Sequence, residues 1–165
     1  MPDITKIPHK IIEDPPLNVV LFQPEIPSNT GNIARMCGAA MVRLHLIHPL
    51  GFSVDDKHLK RAGLDYWYEV DVRHHMNFTE FLNSDENIEK RLVVLTKFAE
   101  LNYTEAEINP GTHLLFGRET KGLPLEIRKK YPCYKIPVWG NVRSLNLSTS
   151  AGIVVYHSLN RLGVF

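Results

Sequence analysis

Two hydrophobic rhythms alternate along this chain from Leu17 onward. Unbroken apolar runs, Val19-Val20-Leu21-Phe22, Leu92-Val93-Val94-Leu95 and His113-Leu114-Leu115-Phe116, have the pattern of strands buried on both faces of a parallel sheet. Between them lie stretches of helical spacing. Ile33, Met36, Cys37 and Ala40 predict a helix capped by Asn29 or Thr30. Ala151, Val154, Val155, Ser158, Leu159 and Leu162 form the clearest stripe, on a helix capped at Ser148. Residues 43–48 read as a strand ended by Pro49 and Gly51. Asp55 or Asp56 opens a short basic helix closed by Gly63. A short strand is expected over residues 68–72, and Asn77 caps a helix holding Phe78, Phe81 and Leu82. Residues 123–130 predict a helix entered through Pro124, and residues 134–138 a last strand. Strand and helix alternate throughout, which predicts an α/β domain with a mainly parallel sheet and helices on both faces.

Residues 1–16 break the rhythm with four prolines and mixed charge. They are expected to form an arm outside a single domain spanning residues 17–165. A chain of 165 residues, 44% hydrophobic, has enough apolar surface for one ordinary core. Its net charge of +1, from 19 basic and 18 acidic residues, advertises no global attraction to nucleic acid. A basic face then has to come from clustering rather than from totals. Cys37 and Cys133 lack C-x-x-C spacing, so neither a disulfide nor a zinc site is expected, and no metal is called for. No apolar run approaches the ~20 residues that cross a bilayer, and the N-terminus does not read as a signal peptide. A cytoplasmic protein without a membrane partner is expected.

The chemistry concentrates in three loops: Asn29-Thr30-Gly31-Asn32-Ile33-Ala34-Arg35, Leu114-Leu115-Phe116-Gly117-Arg118-Glu119-Thr120-Lys121-Gly122-Leu123-Pro124, and Arg143-Ser144-Leu145-Asn146-Leu147-Ser148. Each sets Gly, Asn or Ser beside a charged residue at the end of an apolar run, where α/β domains place ligands. None is G-x-G-x-x-G or G-x-x-x-x-G-K-[ST], which excludes the common phosphate loops.

These loops, in this order, together with His48-Pro49-Leu50-Gly51-Phe52 and Arg61-Ala62-Gly63-Leu64-Asp65-Tyr66, resemble the SPOUT superfamily of RNA methyltransferases. Within it the chain is most similar to the small bacterial tRNA enzymes that 2′-O-methylate the wobble ribose. The resemblance covers roughly residues 17–163. It implies a homodimer that uses S-adenosylmethionine, has a C-terminal trefoil knot, and acts on cytidine or modified uridine in the anticodon stem-loop of leucine tRNAs. By the same resemblance Leu95, Gly117, Ile136 and Ser144 hold the cofactor, with Leu145 and Asn146 in the same wall. Apolar Leu95, Ile136 and Leu145 suit an adenine ring, and strand-end backbone groups suit its edge. Plain core packing is the competing account of Leu95 and Ile136.

Arg35 matches the arginine implicated in catalysis. A guanidinium stays protonated, so its expected task is to stabilise a developing alkoxide or clamp the neighbouring phosphate. Glu119 is expected to orient an arginine or accept from the ribose, and Asn146 to donate to cofactor or phosphate. Tyr156 matches a tyrosine of the last helix, with packing as its alternative. For RNA the resemblance points to Asn29 and Arg143, while the basic runs add Lys60 and Arg61 and the segment Arg73-His74, with Tyr66, Trp67 and Tyr68 nearby for stacking. The chain departs from the family at His157, where glutamate is usual, and at Trp139-Gly140-Asn141. Two other readings stay open: 2′-O-methylation of ribosomal RNA or another tRNA position, and a non-catalytic RNA-binding dimer.

Overall fold

The computed structural model describes residues 4–55, 57, 61 and 64–165. Among these, seven strands form one sheet: β1 (Leu17–Phe22), β2 (Arg43–Ile47), β3 (Val72–His75), β4 (Leu92–Leu95), β5 (Leu101–Asn102), β6 (Thr112–Phe116) and β7 (Cys133–Lys135). Their spatial order is β3-β2-β1-β6-β4-β7-β5, and every pairing is parallel. The chain therefore winds outward from β1 in one direction, then starts again on the other side. That reversal between β1 and β6 opens a crevice at the carboxyl ends of the strands.

Alternate residues of each strand face opposite layers. Val19, Leu21, Leu44, Leu46, Leu114 and Phe116 meet Ile33, Ala34 and Cys37 of α1 (Pro27–Ala40) and Val154, Val155 and Leu159 of α4 (Leu147–Arg161). Val20, Phe22, Ile47, Leu115, Leu92 and Val94 meet Phe81 of α2 (Phe78–Asn83) and Ile127 of α3 (Leu125–Lys130). Helices thus cover both faces, and continuous apolar runs were the right mark of the central strands. The arm lies along the fold: Lys10 N–H donates to Val164 O, Gly111 N–H to Pro16 O, and Arg91 pairs with Glu13 at 3.0 Å.

Several boundaries differ from the sequence expectation. A 3-10 helix occupies Leu64–Glu69, and the strand expected over residues 68–72 begins instead at Val72. Asp71 closes the segment before it by gripping Arg43 and Arg73. β5 is only two residues long and carried no apolar run to announce it. The last strand stops at Lys135, because Pro137 has no amide for a ladder. Asn29 and Thr30 sit inside α1, whose cap residue is Ile26 with Pro27 in the first turn. Asn146, not Ser148, caps α4: its Oδ1 accepts from Ser148 N–H and Thr149 N–H. Asn77 caps α2 as expected, accepting from Glu80 N–H at 2.8 Å. The basic helix expected from residues 55–63 lies mostly outside the described residues.

One polar cluster interrupts the apolar layer under α2. Asn18, His45, His75 and His113 are all buried there around Phe81. Asn18 Nδ2 donates to Gly111 O, which leaves its Oδ1 to accept from His45 Nε2 at 3.0 Å. His45 Nδ1 must then accept from His75 Nε2, 2.9 Å away. Both rings are neutral in this chain of bonds. Burial, reinforced by neighbouring cations and imidazoles, pushes His45 down to about 2, and burial pushes His113 down to about 4. Because the folded state resists protons that the unfolded chain takes up near pH 6.5, stability is full above that pH. It falls as pH drops from about 6.5, the share of His113 being lost by about 4 and that of His45 continuing toward 2. Urea melts below pH 6.5 should show the loss, and a His113→Gln variant should make it shallower while leaving the share of His45.

Candidate active site

The carboxyl ends of β4, β6 and β7 open into a cavity of about 910 Å³. Its walls include Leu95, Gly117, Ile136, Ser144, Leu145 and Asn146, with Asn29, Glu119 and Arg143 at the same opening. Nine positions singled out in the sequence are therefore brought to one place from five separate segments. The volume lies in the range of small-molecule sites. Leu95, Ile136 and Leu145 supply apolar wall, and the strand ends supply backbone donors and acceptors.

The β6–α3 loop is shaped by Gly117. A Cβ there would stand 2.6 Å from Gly122 C and 2.7 Å from Leu123 N, because the loop turns straight back. Arg118 and Gly122 exchange backbone hydrogen bonds at 3.0 and 3.3 Å, and Gly122 has φ +62°. The return of the loop aims Glu119 at the β1–α1 connection. Its carboxylate accepts from Glu25 N–H, at 3.0 and 3.1 Å to its two oxygens, and from Ile26 N–H. Glu25 answers by accepting from Thr120 Oγ1 at 2.8 and 2.9 Å. The two carboxylates form a reciprocal clasp between loops from adjacent strands. Burial pushes Glu119 above the usual carboxylate range, and the two amides work against that rise.

From behind, Gly51 closes on the same connection. Its amide donates to Pro24 O at 2.9 Å, and a Cβ would come within 2.8 Å of Glu25 Cα. Asn146 fixes the third side. While its Oδ1 caps α4, its Nδ2 donates to Asn29 Oδ1 at 3.1 Å, so the starts of α1 and α4 are tied by two amides. Asn146 is thus a backbone-bonding asparagine and a cross-link at once.

Other expected residues lie elsewhere. Arg35 is exposed on α1 and Tyr156 is exposed on α4; neither lines the cavity, although the two helices pack against each other. Arg73 sits at the opposite edge of the sheet, held by Asp71 at 2.6 Å. His74 Nδ1 faces His48 Nε2 at 2.8 Å, away from the cavity lining. Arg61 is exposed, and Lys60 lies outside the described residues. Side chains of Tyr66 and its immediate predecessors are likewise outside the description, while Tyr68 is exposed.

The structure adds residues that the sequence did not single out. Thr96, Lys97 and Phe98 follow β4 into the cavity, and Arg128 lies 4.5 Å from the Phe98 ring centroid. Among the described charged side chains that line it, Lys97, Arg118, Lys121, Lys135 and Arg143 are cationic, against Glu119 alone as a carboxylate. These cations come from the last residue of β7 and the three segments that follow β4, β6 and β7. The residues following each parallel strand were the available signal. Among the described residues, no three His, Cys, Asp or Glu side chains are grouped to hold a metal ion.

Gly117→Ala should displace the 117–123 loop and abolish binding of a cavity ligand, read by calorimetry. Glu119→Ala leaves the Glu25 and Ile26 amides without their acceptor. It should lower stability by about 1–3 kcal/mol in denaturant melts, and weaken ligand binding in parallel.

The SpoU rRNA Methylase family model matches residues 16–156. A Yersinia pestis protein named tRNA (cytidine(34)-2′-O)-methyltransferase is 44% identical over 153 residues, covering 89% of this chain and 94% of that protein. A solved structure described as giving insight into 2-OH methylation of C/U34 on tRNA superposes with a TM-score of 0.83 at 44% identity, covering 88% of this chain and 95% of that one. The SpoU methyltransferase AviRb from Streptomyces viridochromogenes, solved in complex with AdoMet, shares the fold at a TM-score of 0.80 and 22% identity, over 91% of this chain and 59% of that one. With its strand-end cavity and its matched length, this chain belongs to the SpoU family of RNA methyltransferases.

Proposed function

We propose that this chain is an S-adenosylmethionine-dependent methyltransferase that acts on the 2′-hydroxyl of the wobble ribose, cytidine or modified uridine, in the anticodon stem-loop of leucine tRNAs. The carrying observation is the cavity at the β4, β6 and β7 ends, walled in part by Leu95, Ile136 and Leu145 and lined by five cations. Similarity at 44% identity to a tRNA (cytidine(34)-2′-O)-methyltransferase over nearly the whole of both chains supports the substrate. In this reading residues 17–165 act as one cytoplasmic domain with a C-terminal trefoil knot, and residues 1–16 are its arm.

The cavity fits the cofactor. Its volume, its apolar wall of Leu95, Ile136 and Leu145, and the backbone groups beside Gly117 suit an adenosine with a short polar tail. Ser144 and Asn146 stand at the open side to hold polar groups of that tail. When bound, S-adenosylmethionine supplies a methyl group on a good leaving group, so alignment of the attacking oxygen carries much of the acceleration. The cationic rim neutralises RNA phosphates near the opening, and a protein that works this way loses affinity steeply as salt rises.

Arg35 stabilises the oxygen that loses its proton, or clamps the phosphate beside it. Because Arg35 and Tyr156 lie on exposed parts of α1 and α4 outside the protomer's own cavity, the reading includes a homodimer that brings them to a site. Glu119 and Asn146 contribute by holding the loops in register through the bonds described above.

Calorimetry with S-adenosylhomocysteine and mass mapping of tRNA methylated in vitro test this directly. Methyl is expected on the first anticodon ribose; its appearance on ribosomal RNA or elsewhere in tRNA would replace the substrate assignment. Arg35→Ala should cut kcat by about 100-fold or more, as loss of an oxyanion-stabilising donor does, with S-adenosylhomocysteine affinity unchanged.

A further inference from the structure

Trp139 is 91% exposed, although it lies in the loop between β7 and α4 and lines the cavity. A tryptophan left this open contributes almost nothing to the core, so its apolar faces are available to a ligand. Leu95, Ile136 and Leu145 supply apolar wall that is buried or half-buried. Trp139, far more exposed than these, belongs to the outer rim. Gly140 beside it has no heavy atom within 4 Å of where a Cβ would stand, so the loop is open at that position. Arg143, four residues after Trp139 on the exposed loop, places a guanidinium at the same cavity.

An exposed aromatic next to cations is the equipment by which proteins hold unpaired RNA: bases stack on the ring while phosphates meet the charges. Ribose chemistry makes such a platform necessary. The reacting sugar must enter the cavity, so its base or the neighbouring one has to leave the RNA stack and be held outside. We propose that Trp139 is the stacking platform for a base of the RNA substrate at the methylated nucleotide or immediately beside it. This rests on the reading of the cavity as an RNA methylation site. The role is one of positioning: the indole touches substrate but takes no part in bond making.

The chain has two tryptophans, and the other, Trp67, is half-buried against the core. Subtracting the emission of Trp139→Phe from that of the unsubstituted protein isolates the signal of Trp139. Adding an unmodified anticodon stem-loop RNA should quench that signal. Trp139→Ala should raise KM for tRNA about tenfold to a hundredfold with kcat little changed, because the stack forms equally before and during reaction. Trp139→Phe should restore most of the affinity, and S-adenosylhomocysteine should bind all three proteins alike.

Absence of quenching overturns the proposal, as does an unchanged KM in Trp139→Ala. Weakened S-adenosylhomocysteine binding would overturn it by placing the indole in the cofactor space. A change of oligomeric state in Trp139→Ala, seen by sedimentation, would overturn it by making the residue a contact between copies. The functional reading fails separately: quenching without any methyl transfer to tRNA would leave the stack standing and remove the activity, whereas transfer without quenching would do the reverse.

Discussion

A parallel sheet ends every strand at one edge with amides and carbonyls that no hairpin closes, and here the reciprocal clasp of Glu25 and Glu119 organises that edge. Each carboxylate bonds to the other's loop, so the β1–α1 and β6–α3 connections are fixed to one another across the reversal of strand order. Glu119 also supplies the acceptor that α1 lacks, since Ile26 at its start has no side chain for the task. Negative charge at that position is favoured by the helix dipole as well. Both loops of the clasp line the cavity, so the shape of the site and the satisfaction of the backbone are one requirement. Gly117 belongs to the same constraint, because only a residue without Cβ lets the loop return closely enough for Glu119 to reach.

How much of this was legible in the sequence follows from which interactions are local. The central strands were legible as continuous apolar runs, and Asn77 was legible as a cap because its bond to Glu80 spans three residues. The caps of α1 and α4 were misplaced for a specific reason. A side chain 93 residues away accepts from Ile26, so nothing near Asn29 could reveal it. At α4, Asn146 and Ser148 are both good cap residues, and the contact of Asn146 with Asn29 decides between them. The resemblance supplied what periodicity could not: that Leu95, Gly117, Ile136 and Ser144 meet at all. Thr96, Lys97 and Phe98 went unremarked because neither pattern nor motif singles them out, although strand polarity places them at the site.

The distribution of charge explains how a nearly neutral chain presents a basic opening. Five cations gather around the cavity at the carboxyl edge. At the amino edge, by contrast, Arg43 and Arg73 share Asp71, and Arg91 meets Glu13 of the arm. Those pairs are partly exposed and individually worth little. Their consequence is for the field: they neutralise cations at one end of the sheet and leave the excess at the other. A sequence reading that scores Lys and Arg by runs finds Arg73 and misses this cancellation, because Asp71 lies two residues away and grips β2 as well.

The neutral histidine cluster is the second polar feature of the sheet, running from Asn18 near the start of β1 to His75 at the end of β3. Where the apolar layer admits Asn18, His45 and His75, their hydrogen bonds run in one determinate direction. Asn18 sets the orientation through Gly111, His45 inherits its tautomer from Asn18, and His75 inherits from His45. Protonating His45 would put two donors face to face with His75, so the cluster keeps its charge at zero where the apolar layer can accommodate it. These neutral bonds tie β1, β2 and β3 to the turn before β6, and β1 and β6 carry their carboxyl ends into the reversal where charge is concentrated. The cations that line the cavity, the exposed indole of Trp139 and the open strand ends are thus gathered at the carboxyl edge.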